Sequence, residues 1–133
     1  MPVAEENEIA TYFTLVKSLN AILTNIRIGQ GPLDVVESVK KQLLVLDKLP
    51  RADFDQGKIL AEARQRLFDF LKTAVLAKDN RIVLVAYIKT LGILNTNISK
   101  MMKNPIILGQ LRGVLTSAMS ALESMTPIGA GKN

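Results

Sequence analysis

Apolar residues return every three or four positions along most of this chain, with polar residues between them. Ile9, Tyr12, Val16, Leu19, Leu23 and Ile26 step by 3, 4, 3, 4 and 3, the seam of a helix packed in a bundle. Phe13, Leu15 and Ile22 widen that seam, which calls for more than one neighbour. The predicted helix runs from about Asn7 to Ile28. Glu5, Glu6 and Glu8 lie at its start, where the helix dipole favours anions, and Gly29-Gln30-Gly31 ends it.

The same step recurs in the next two segments. One opens at Pro32, a residue suited to a first helical position, and carries Val36, Val39, Leu43 and Leu46. Glu37 and Lys41 read as a favourable i, i+4 pair. Leu49-Pro50 stops this helix, because the residue before proline is pushed out of the helical region. The next begins at Asp53, a cap with Gln56 reaching back three residues on. Its seam is Leu60, Ala63, Leu67, Phe70 and Ala74, whose two alanines imply a close neighbour. Lys78-Asp79-Asn80 is a turn, with Asp79 or Asn80 as the following cap.

Arg81 to Lys103 is the most apolar stretch and holds no acid. On a helical wheel Val83, Leu84, Tyr87, Ile88, Leu91, Leu94, Ile98, Met101 and Met102 form one broad face. Arg81, Lys89, Lys100 and Lys103 fall in an opposing arc of about 100°. The run from Ile82 to Ile88 also resembles a buried strand. The helical reading is preferred because no other segment offers a strand partner and the apolar pattern continues at helical spacing. Asn104-Pro105 gives a cap and a first-position proline. A final helix then runs to about Met125 with a seam of Leu108, Leu111, Leu115, Ala118, Leu122 and Met125. Gly109, Gly113, Ser117 and Ala121 make a second stripe at four-residue spacing. Small residues so placed let another backbone approach closely. Packing within the chain is the preferred reading of this stripe, and an interface with another copy is the alternative.

These elements predict an all-α fold, an up-and-down antiparallel bundle of five helices, or of four with the last kinked at Pro105. Residues 1–126 form one domain, and 127–133 a flexible tail. At 133 residues the chain is long enough for one core and short for two domains.

Charge changes the picture. Residues 1–79 hold 11 acidic and 11 basic side chains, whereas residues 80–133 hold six basic ones and Glu123 alone as acid. The whole net charge of +5 is C-terminal, an asymmetry that favours an anionic partner. The plain alternative is a solvated face that keeps an apolar protein dissolved. The longest unbroken apolar run is seven residues, short of the ~20 that cross a bilayer. The acidic start, MPVAEENE, is unlike a signal peptide. The expectation is a soluble protein, intracellular or within an assembled particle.

Chemistry is sparse. There is no His and no Cys, which removes the usual general base, thiol nucleophile and soft metal ligands. Asp53 and Asp55 read as cap residues. Gly129-Ala130-Gly131-Lys132 lacks the spacing of a phosphate loop. No enzyme activity, cofactor, metal or small-molecule substrate is expected.

Two functions remain. The first is a structural or assembly protein that binds itself or another helical protein, with Gly109, Gly113, Ser117 and Ala121 as the packing surface. The second is a sequence-nonspecific nucleic-acid-binding subunit, of coat or nucleoid type. It would grip DNA or RNA backbone through Arg81, Lys89, Lys100, Lys103 and Arg112, helped by Thr96 and Ser99. No aromatic side chain lies in that strip to stack bases. A small inhibitor or immunity-type module is a weaker third reading.

Overall fold

The computed structural model describes residues 2–28, 31–51 and 54–125. Within them the chain forms five helices and no strand: α1 (Pro2–Arg27), α2 (Pro32–Asp47), α3 (Phe54–Leu76), α4 (Asn80–Ser99) and α5 (Pro105–Ser124). The helical reading of Ile82 to Ile88 is correct. So is the break before Pro105: α4 ends at Ser99 and a separate helix begins, rather than one kinked rod.

The punctuation is chemical. The Asp79 carboxylate accepts from the Ile82 amide at 2.9 Å, and Asn104 Oδ1 accepts from Ile106 and Ile107 at 2.9 and 3.2 Å. Each satisfies donors that the first turn leaves open. Pro105 follows at the first helical position, where its missing N–H costs nothing. Asp53, the expected cap of α3, and the tail beyond Met125 lie outside the described residues. Gln56, its expected companion, is fully buried. Glu37 pairs with Lys40 at 3.3 Å, one residue short of the expected Lys41.

Each helix packs on the ones before and after it, and α5 returns to α1, closing a ring. Helix α4 also reaches α1 across the ring. Two hydrogen bonds fix that crossing. Tyr87 donates to the Leu19 carbonyl at 2.7 Å, and Asn80 Nδ2 donates to the Ile26 carbonyl at 3.1 Å. Moving forward along α1 is matched by moving back along α4, so the two run antiparallel. A ring of five that alternates direction must contain one parallel pair, and here it is α1 with α5. Arg27 at the end of α1 accordingly faces Ser117, Ser120 and Ser124, late in α5.

The core is one continuous cluster drawn from all five helices. The expected seams of α1, α2 and α3 are buried, Ala63 and Ala74 completely, except Ile9 at the start of α1, which is partly buried. Phe70 of α3 and Tyr87 of α4 meet at its centre with ring centroids 4.9 Å apart, a separation suited to a tilted aromatic pair. Helix α5 differs from expectation. Its buried face is centred on Ile107, Leu111, Val114, Ala118 and Ala121, while Leu108, Leu115 and Leu122 sit half-buried at one edge. The true face is turned by about 50° from the predicted seam.

Burial also sets the ionisation of Tyr87. With no water to solvate a phenolate, its pKa is raised well above the ordinary 10.0. Replacing Tyr87 by Phe removes the bond to Leu19 and should cost about 1 kcal/mol at neutral pH. A raised folded pKa means a contribution fully present below the unfolded value and lost as pH climbs through the folded one. The stability gap between wild type and Tyr87→Phe, measured by urea unfolding, should therefore be constant up to about pH 10 and shrink above it.

Candidate functional site

The five predicted cations are all exposed, and they differ in what surrounds them. On α2 and α3, Lys40, Arg64, Arg66 and Lys72 have carboxylates within 4 Å. Among the described residues no such partner stands beside Arg81, Lys89, Lys100, Lys103 or Arg112. Lys17 and Arg27 on α1 and Lys41 on α2 likewise have no carboxylate within 4 Å among the described residues, but α4 and α5 differ in holding Glu123 as their one acid. Arg112 follows Leu111, whose carbonyl takes a 3.3 Å bond from Asn95, so it stands level with the latter half of α4.

Two of these cations have local work. Lys100 is the C-cap of α4, and Lys103 Nζ lies 3.5 Å from the Ser99 carbonyl. Both stand at the negative end of the helix dipole, where a cation is favourable. Arg81 is the opposite case. It occupies the first turn of α4, at the positive end of the dipole, where the Asp79 carboxylate at the N-cap is the anion that offsets it. Lys89, in mid-helix, has no local role either. The Ser99 hydroxyl, considered for phosphate, is occupied: it donates to the Thr96 carbonyl at 2.8 Å.

Arg81 and Lys89 share a groove between α3 and α4 of about 560 Å³. Its walls include Ile82, Val85 and Ile93, exposed by 44 %, 41 % and 46 %. Thr73, Ala86 and Thr90 supply smaller side chains, and Asp69 is its one acid. Asp69 is already held by Arg66 at 3.4 Å and by Gln65 at 3.0 Å. The three aliphatic residues escaped the sequence reading. Ile82 and Val85 fall in the same arc of α4 as the cations and Ile93 at its border, so the basic strip is a mixed basic and apolar surface. The signal was present in the wheel, since the arc assigned to charge contains or adjoins all three positions.

The small-residue stripe lies elsewhere and not as expected. Gly109, Gly113 and Ser117 are exposed, and Ala121 alone is buried. A Cβ added at Gly109 or Gly113 would meet no neighbouring atom within 4 Å. Among the described residues no helix packs against the two glycines, where the within-chain reading had expected one. The reason is rotational. A four-residue step advances about 400°, so the stripe drifts by about 40° each time. It winds from solvent at Gly109 into the core at Ala121.

Among the described residues no group of three His, Cys, Asp or Glu side chains gathers as a metal would require. By length and composition α4 is the one described helix able to span a bilayer; here its broad face is packed against α1, α3 and α5. No protein-family model, curated protein or solved structure matches the chain.

Because Gly113 faces open space, Gly113→Ala should raise the stability of the isolated chain by about 0.5–1 kcal/mol through helix propensity. Thermal unfolding at low protein concentration reads this directly. A loss of stability would instead place a neighbouring backbone against that residue.

Proposed function

We propose that this is a non-enzymatic assembly protein, a helical bundle whose work is to bind another helical surface, on further copies of itself or on a partner protein. The observation that carries this reading is the α3–α4 groove. Ile82 and Val85 lie one turn apart in it and Ile93 two turns further on, beyond Lys89, each roughly two-fifths or more exposed, and exposed apolar side chains gathered in one groove support an interaction site. The open face of α5 adds to it. Two exposed glycines weaken a helix by roughly 2 kcal/mol in propensity, and among the described residues nothing packs against them. The lack of His and Cys and of a described metal cluster leaves little material for catalysis.

A second reading is binding to nucleic-acid backbone, favoured by the five cations that lack carboxylate partners. Interleaved isoleucines and valine fit it less well, because a phosphate-binding face gains from donors and charge rather than apolar area.

Light scattering on a sizing column separates the two, run at low and high salt with and without a short random DNA duplex. Assembly predicts a defined mass that is a multiple of 14.6 kDa, formed without DNA and retained in high salt. Gly113→Leu on the open face of α5 should change that mass if α5 is the contact. A monomer that gains mass only with DNA and only at low salt supports the backbone-binding reading. A monomer under every condition leaves a separate protein partner as the remaining form of the proposal.

A further inference from the structure

Resting on the assembly reading, we infer that the α3–α4 groove is the docking site for an amphipathic helix of another protein whose apolar stripe is flanked by carboxylates. Shape speaks first. Ile82, Val85, Lys89 and Ile93 follow one another at spacings of 3, 4 and 4 along α4, covering about 16 Å of helix length. That is the span of roughly three turns of a docked helix, read through anchors at i, i+4, i+7 and i+11. Thr73, Ala86 and Thr90 in the same groove are small enough for a backbone to come near. A small molecule fits less well, since such ligands are mostly enclosed by their pockets and this lining stays exposed.

Charge chooses the occupant. The rim carries Arg81 and Lys89 without carboxylate partners, and its one acid, Asp69, is already engaged by Arg66 and Gln65. Arg81 stands at the N-terminal end of α4, where Asp79 is spent on the Ile82 amide as the cap. A carboxylate on the incoming helix can pair with either cation. A second copy of this chain fits less well: two such grooves face to face bring Arg81 and Lys89 against themselves, and like charges in an interface oppose association.

The test selects binders on the full-length chain from a displayed library of helices of about 16 residues, apolar at i, i+4, i+7 and i+11 and randomised elsewhere. The expected result is an excess of Glu and Asp at the flanking positions. Selected peptides should bind about tenfold or more weakly to the double variant Arg81→Glu/Lys89→Glu, and unchanged to Lys17→Glu on exposed α1. Both variants are at exposed positions, and circular dichroism is used to check that they fold. Binders without an acidic excess, binders indifferent to the double variant, or no binders at all would overturn the proposal. So would a two-chain mass without peptide that falls to one on Val85→Asp, because a second copy would then fill the groove. Self-assembly that survives Val85→Asp while the peptide test fails would remove this inference and leave the assembly reading standing.

Discussion

The apolar face of α4 is too broad for one neighbour to cover, and the bundle is arranged to give it three. Val83, Leu84, Tyr87, Leu91, Leu94 and Ile98 are all buried, held between α3, α5 and α1. Burying each such side chain is worth about 1.5–3 kcal/mol relative to exposure, so this helix supplies a large share of the drive to fold. The hydrogen bonds from Tyr87 to Leu19 and from Asn80 to Ile26 contribute less energy than direction. They allow one register of α4 on α1, because a slip of one residue would leave a buried hydroxyl without its acceptor.

A ring of five follows from that demand. Four helices in a square leave each with two neighbours, whereas the fifth lets α1 and α5 close around the side that α3 leaves open. The cost is one parallel pair, α1 with α5, whose dipoles point the same way. Arg27 in the last turn of α1 lies beside the end of α5 and answers the negative ends of both helices. This gives Arg27 and the hydroxyl-lined groove around it a structural explanation.

The same arrangement leaves one side of α4 bare. Its outward arc holds Arg81 and Lys89 among Ile82, Val85 and Ile93, and α3 forms the opposite wall. Lys40, Arg64, Arg66 and Lys72 on α2 and α3 have carboxylates close at hand, while the cations of α4 and α5 have none among the described residues. Charge and apolar area are thus concentrated on one face, where each strengthens the case for a partner: apolar contact supplies affinity and charge supplies selection.

Much of this architecture was legible in the sequence, because its signals are local. The helix limits follow from Asp79, Asn104 and the prolines at 32 and 105, which act on neighbouring amides within one turn. The antiparallel order follows from short connections. The cationic half of the candidate site could likewise be read from the one-sided charge. What the sequence could not decide was the rotation of α5 and the fate of the outward residues of α4. Apolar positions run nearly all the way round both helices, so the wheel alone does not say which are covered. That depends on where α1 comes to rest, 54 and 68 positions away at its bonds to α4, and packing of the whole ring set it. Tertiary structure therefore turned Val114 and Ala121 inward, left Gly109 and Gly113 in open space, and placed Ile82, Val85 and Ile93 beside the unpaired cations.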